Sequence, residues 1–152
     1  MDNVAHGKIV VGVDGSEPSI EALEWAAHQA ELTGTTLDVV TAWAYGEEPT
    51  PFGIVPPVLP EGDPLAEARS KLDELVGAVR RRHNLIAVRA VVVRGHAAAV
   101  LLEDSQNADL LVVGNRGRGA LVEMLLGSVS EHCVRHAVCP VVIVRPVHQH
   151  AT

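Results

Sequence analysis

The residues best suited to chemistry in this chain are glycines. They cluster in Gly114-Asn115-Arg116-Gly117-Arg118-Gly119 and again in Gly127-Ser128-Val129-Ser130. Glycine lets a chain turn sharply and brings backbone close to a ligand. Successive exposed N–H groups form an anion-holding concavity. Gly127-Ser128 opens a predicted helix, whose first amides and the hydroxyls of Ser128 and Ser130 can hold phosphate oxygens. The same serines serve equally as helix caps. Arg116 and Arg118 can add charge-assisted contacts, or stand in solvent as loop arginines do. A second polar turn, Asp14-Gly15-Ser16, follows an apolar run near the start. Asp14 can accept from ribose hydroxyls or help hold a metal; its plain reading is a turn aspartate.

Two familiar phosphate loops are excluded. GxxxxGK[ST] needs a lysine after a glycine loop, and neither Lys8 nor Lys71 follows one. The dinucleotide fingerprint GxGxxG belongs in the first strand-to-helix turn, which reads Gly12-Val13-Asp14-Gly15-Ser16. What remains is a phosphate cradle without a catalytic lysine. His132 and His136 have metal-ligand spacing on one helical face, but with no evident third ligand they read as a surface pair. Cys133 and Cys139 read as small core fillers. No nucleophile with a base can be assigned, so no catalytic residue is expected.

The elements that must position these groups alternate in type. A nearly all-apolar strand over Lys8–Val13 suits burial on both faces. Ser16 caps a helix with Pro18 in its first turn and Ile20, Leu23, Ala27 and Ala30 on its inner face; Gly34 ends it. A second strand runs from Thr36 to about Trp43. Residues 46–62 form a proline-rich loop, with Pro49, Pro51, Pro56, Pro57 and Pro60, and read as structureless. Asp63-Pro64 starts a helix with Leu65, Leu72, Leu75, Val76 and Val79 facing in. Then come a strand at about Ala87–Val93, a helix from Ala97 to about Gln106, a strand at Asp109–Val113, a helix from Ser128 to His136 and a last strand at Val141–Arg145. Such alternation specifies an α/β fold, a mostly parallel sheet with helices on both faces. In such sheets ligands bind beyond the carboxyl ends of the strands, where strand order reverses. Both polar turns lie at strand ends.

Bulk properties agree. A chain of 152 residues with 47% apolar content suits a single domain, with a core over about residues 7–146 and short mobile tails. Only Trp25, Trp43, Tyr45 and Phe52 are aromatic, so the core rests on Val, Leu, Ile and Ala. The net charge of −7 argues against nucleic acid as a partner. The one basic cluster, Arg80-Arg81-Arg82, falls at a helix end where cations complement the dipole. Two cysteines make no disulfide framework, and a cytoplasmic setting is expected. The first residues lack the apolar stretch of a signal peptide, and no run approaches the ~20 apolar residues of a membrane span.

The pattern Gly114-x2-Gly117-x9-Gly127-Ser128 resembles the nucleotide signature of the universal stress protein family. Val10-Val11-Gly12-Val13-Asp14-Gly15-Ser16, the run Asp109–Gly119 and Cys139-Pro140-Val141-Val142-Ile143-Val144 are similar to that family too. The resemblance implies a Rossmann-like fold of the adenine-nucleotide hydrolase kind, with five parallel strands in order 3-2-1-4-5 and ATP at the carboxyl edge. By position, Val13 and Asp14 would meet adenine and ribose, and Ala42 would line the adenine pocket. Gly114, Gly117, Gly127, Ser128, Val129 and Ser130 would hold ribose and phosphates. Gly12, Val113 and Arg116 complete the expected binding set. Asn115 departs from the serine or threonine more usual there. Mg2+ or Mn2+ would bridge the phosphates, with Asp14 as the candidate ligand.

The family also implies a homodimer through the last strand. Independently, Val141-Val142-Ile143-Val144 is apolar on both faces, and such an edge invites pairing. The expected function is a nucleotide-dependent regulatory or sensor module in stress response, with slow hydrolysis or none. The alternatives are an ATP-using enzyme, either a slow ATPase or an adenylyl transferase, and a binder of AMP or cyclic AMP. An enzyme should show a second substrate pocket near the proline-rich loop.

Overall fold

A computed structural model describes residues 7–43, 48–50, 53–55, 62–117 and 125–146. Arg118, Gly119, Tyr45, Phe52, the terminal tails and most of the proline-rich loop lie outside the described residues.

Five strands form one parallel sheet: β1 (Lys8–Gly12), β2 (Thr36–Trp43), β5 (Val88–Arg94), β6 (Leu110–Gly114) and β7 (Val141–Val144). Their spatial order is β5-β2-β1-β6-β7. Counted among these five alone, that is the expected 3-2-1-4-5. β1 is central, with Ile9 level with Leu37 on one side and Leu110 on the other. Strand order reverses at β1, so the crevice for a ligand opens beyond Gly12 and Gly114.

Residues of alternate parity pack opposite layers, as a pleated sheet requires. Ile9, Val11, Leu37, Val39 and Val112 meet helices α1 (Glu17–Thr33) and α2 (Pro64–Arg82). Val10, Val40, Leu111 and Val113 meet α3 (Ala97–Asp104) and α4 (Ser128–His136). Each layer is aliphatic, so the core forms by burial of β-branched and leucine side chains with hardly an aromatic.

The helix signals read from the sequence are real caps. The Ser16 side chain accepts from the Ser19 amide, and Gly34 closes α1 in the left-handed conformation at φ 68°. The Asp63 carboxylate accepts from the amides of Leu65 and Ala66. Caps of this type contribute about 1 kcal/mol each.

Four expectations change. Ile20 is 40% exposed: the contact stripe of α1 centres on Ala22, Ala26 and Ala30, whose small side chains let the helix sit close to the strands. Leu65 is also 40% exposed, because α2 buries only its later residues, Leu72, Val76 and Val79. No residue of its first two turns is buried. The proline-rich segment is not wholly without structure: β3 (Glu48–Thr50) pairs antiparallel with β4 (Gly53–Val55). A lone two-stranded ladder has open edges, where the missing N–H of Pro49 costs nothing. The arginine run does more than complement a dipole. Arg80 donates to the Val88 carbonyl at 2.6 Å and Arg82 pairs with Glu24 on α1. Beside them, His83 contacts Glu24 and Glu31.

An ion pair between a buried aspartate and a mostly exposed arginine joins β2 to β5. Asp38, almost wholly enclosed, accepts from Arg89 Nε at 3.2 Å and Nη2 at 2.6 Å. Lys8 Nζ lies 3.8 Å away and donates to the Asp104 carbonyl. Hydrogen bonding to Asp38, followed by its charge, raises the Arg89 pKa above its ordinary value.

Candidate functional site

At the carboxyl edge the chain leaves β1 through Val13, whose amide donates to the Val40 carbonyl while its own carbonyl accepts from Thr41 Oγ1. This two-sided anchor fixes where Asp14 can stand. The Asp14 carboxylate folds back over the turn and accepts from the Ser16 amide at 2.9 Å and from Ser16 Oγ at 2.5 Å. Gly15, at φ 85°, supplies the left-handed step between them. The buried Ser19 hydroxyl accepts from the Asp14 amide and donates to the Ser16 carbonyl. Ser19 was not among the expected site residues, although the Asp-Gly-Ser-x-x-Ser spacing was there to be read.

Across the crevice, Gly114 ends β6 and the chain turns at Asn115. Asn115 is a clamp. Its amide donates to the Val144 carbonyl, its side-chain amide donates to the Leu125 carbonyl, and its carbonyl accepts from the Gly127 amide and Ser130 Oγ. One buried residue thus ties the start of the glycine segment to its end and to edge strand β7. A serine's shorter side chain could not supply the same amide donor, which gives the departure at this position a structural reason.

These two turns enclose a cleft. Its apolar walls are Val40, Ala42, Leu101 and Val113, with Ala97 and Val129 toward α3 and α4. Its polar rim carries Asp14, Ser19, Arg116 and Ser130, with Gly12, Gly114 and Gly117 in the wall. Of the expected binding residues, Gly127 and Ser128 are not in the lining; they sit at the start of α4. Val40, Ala97, Leu101 and Ser19 line the cleft without having been expected.

The glycines divide by what a Cβ would meet. At Gly12 it would lie 2.6 Å from Leu101 Cδ1, and at Gly114 it would lie 2.7 Å from the Pro18 carbonyl carbon. Those two are small because helices pack against the strand ends. At Gly117 the neighbour is Asp14 Oδ2, at 2.7 Å, across the mouth of the cleft. Ser130 also changes role. Its hydroxyl is buried between the Asn115 and Gly127 carbonyls, 3.0 Å from each, so its proton is used within the protein. Ser128 is exposed at the first position of α4, and no side chain caps that helix. Its first amides lack intrahelical partners, as at every helix start.

A metal cage is not built into these residues. Among the described residues no group of three or more His, Cys, Asp or Glu could hold an ion. His132 and His136 lie with ring centroids 4.5 Å apart on the exposed face of α4. Cys133 is buried in the core, and that burial pushes its thiol up to about 11, with a smaller push from Cys139. It is unreactive filling. No described helix is long and apolar enough to cross a membrane.

Comparison with known proteins places this geometry. The model of the "Universal stress protein family" matches residues 6–145. A universal stress protein of Mycolicibacterium smegmatis is 34% identical over 149 residues, covering 95% of this chain and 49% of that protein. One from Mycobacterium tuberculosis is 36% identical over 140 residues, covering 92% of this chain and 46% of its own length. The chain therefore spans about half the length of these relatives. A crystal structure of a universal stress protein in complex with cAMP superposes with TM-score 0.69 and 28% identity, over 93% of this chain and 98% of that one. An Archaeoglobus fulgidus universal stress protein in complex with dAMP shares the fold, with TM-score 0.65 and 22% identity, over 91% of this chain and 98% of that one. The sheet order, the glycine-walled cleft and these matches agree: the chain belongs to the universal stress protein family.

Proposed function

We propose that the cleft binds an adenine nucleotide, ATP in the first instance, and that the chain acts as a nucleotide-dependent regulatory module with slow hydrolysis or none. The observation that carries this reading is the convergence at one strand edge of three complementary surfaces. Apolar walls at Val40, Ala42 and Val113 suit a base. The Asp14 carboxylate suits ribose hydroxyls. The start of α4 at Ser128-Val129, which no side chain caps, suits phosphate. Arg116, in the lining, adds positive charge beside them.

The donor set fits a metal held mainly by the nucleotide. Mg2+ commonly takes one or two carboxylates plus phosphate oxygens, and Asp14 would supply the protein's ligand. Such an ion neutralises phosphate charge. Asp14 is the only carboxylate among the described lining residues, and its Oδ1 already accepts from Ser16. A carboxylate so engaged is a poor general base. Binding would then stabilise one conformation or one assembly for a partner to read. We assign that assembly to a homodimer through β7, whose outer edge has no neighbouring strand among the described residues.

A second reading, cyclic AMP as ligand, is favoured by the cAMP complex of the 28% identical relative. One experiment separates these readings. The purified chain is denatured, released nucleotide is identified by mass spectrometry, and thermal shifts are measured with ATP–Mg2+, AMP and cAMP. ATP recovery with the largest shift from ATP supports the first reading, and the same result for cAMP supports the second. No nucleotide and no shift with any of them removes both.

A further inference from the structure

A second cavity, of about 350 Å3, lies behind the Asp14 turn. It lies beside the first turns of α2, which bury no residue and leave Leu65 exposed. Its helical lining comes from α2, whereas that of the nucleotide cleft comes from α3 and α4, with Ser19 of α1. The two share only Val13, Asp14 and Ala42. Its size falls within the roughly 300–1,000 Å3 of small-molecule sites.

The lining is apolar below and charged above. Ala68, Leu72 and Leu75 of α2 form the apolar part. Glu67 and Lys71 stand on successive turns of the same helix with Oε1 and Nζ 3.1 Å apart, both mostly exposed. Asp14 adds a second carboxylate to the rim. An exposed pair of this kind opens at little cost. A wholly apolar occupant would strip water from the three charged groups of the described lining, Asp14, Glu67 and Lys71, with nothing in return. A free anion would meet two carboxylates, in a chain of net charge −7. A molecule with its own ammonium and carboxylate satisfies Glu67 and Lys71 together while its side chain covers Leu72 and Leu75.

We propose that this second cavity is a binding site for a small zwitterion of the amino-acid type, with an apolar side chain. Its ammonium faces Glu67 and its carboxylate faces Lys71. The site adjoins the nucleotide cleft through Val13, Asp14 and Ala42, but Glu67 and Lys71, which would hold the zwitterion, line the second cavity alone.

The test is titration of the full chain with L-leucine, L-methionine and L-phenylalanine, followed by amide NMR and calorimetry. Saturable shifts at Gly15, Ala68, Lys71 and Leu75 are expected with at least one of the three. N-acetyl-leucine and leucinamide, each lacking one charge, should bind at least tenfold more weakly than leucine if leucine binds, and the matching derivatives likewise for the other two. Lys71→Met, at an exposed position that leaves folding intact, should lower the affinity at least tenfold. Leu75→Trp should abolish binding by filling the cavity, with folding checked by its amide spectrum. Absence of saturable binding by all three amino acids overturns the proposal. So does equal binding of the blocked derivatives, or indifference to Lys71→Met. Stoichiometric displacement by ATP–Mg2+ also overturns it, because the cavity would then be part of the nucleotide cleft. A chain that binds the amino acid and no nucleotide leaves this site standing and removes the function proposed above.

Discussion

Asp14 Oδ2 and Gly117 face each other so closely across the cleft that a Cβ on Gly117 would sit 2.7 Å from the carboxylate oxygen. Gly117→Ala therefore pushes the Asp14 carboxylate aside, and little else. Asp14 is exposed, so the fold accommodates the shift, and unfolding free energy should stay within about 0.5 kcal/mol of wild type. Nucleotide affinity should fall about tenfold, which is about 1.4 kcal/mol. Asp14→Ala should cost a similar amount, and the double variant no more than either alone, since both remove the same placed carboxylate. Calorimetric titration of the four proteins measures this cycle. Additive losses would mean that Asp14 and Gly117 act separately.

Gly114→Ala should behave in the opposite way. Its Cβ would lie 2.7 Å from the carbonyl carbon and 2.9 Å from the carbonyl oxygen of Pro18, both backbone atoms of α1. The helix must move, and overpacking of this kind costs about 1–3 kcal/mol. Urea unfolding without nucleotide should show the whole loss.

The two serines of α4 should separate in the same manner. Ser130→Ala leaves the Asn115 and Gly127 carbonyls one donor short in a buried place, and should cost about 1 kcal/mol of stability. Ser128→Ala, at an exposed position, should leave stability within about 0.5 kcal/mol. If Ser128 meets phosphate, its loss weakens ATP more than adenosine. Denaturant curves and paired ATP and adenosine titrations give both answers.

Arg89→Met removes the two-pronged partner of buried Asp38 and leaves Lys8, 3.8 Å away, as the remaining cation. The Arg89 side chain is 67% exposed and Lys8 stays beside the carboxylate, so solvent screening holds the expected loss to about 1 kcal/mol. Replacing both residues, as Asp38→Leu with Arg89→Met, should recover most of it, because no uncompensated charge then stays inside. Thermal and urea unfolding of the single and double variants test this.

Cys133 makes stability depend on alkaline pH. Its thiol is pushed up to about 11 in the folded chain by burial, with Cys139 adding to the effect. An unfolded thiol loses its proton near 8.5. Between these values the native state holds a proton that the unfolded state has released, so rising pH favours unfolding. The contribution is complete below about pH 8.5 and is lost as pH approaches 11. Cys133→Ala should lower stability at pH 7 by leaving a small cavity, yet flatten the decline between pH 8.5 and 10.5. Urea midpoints over that range provide the readout.

Much of this molecule was legible as sequence, for a local reason. The Ser16 and Asp63 caps and the stop at Gly34 depend on neighbouring residues, and nearby side-chain and glycine chemistry decides them. The apolar runs at Ile9–Val11 and Leu110–Val113 determined a sheet covered on both faces, and strand–helix alternation determined that it is parallel. Tertiary structure decided what distance along the chain hides. Gly114 serves Pro18, almost a hundred residues away, whereas Gly117 answers to Asp14; a glycine in a string of letters does not show what its missing Cβ would meet. The Ser130 hydroxyl turned inward because Asn115 and Gly127 brought carbonyls to it. The cavity behind Asp14 arose because α2 buries its later turns and not its first, a matter of how a helix rests on a sheet that hydrophobic periodicity along one helix does not encode.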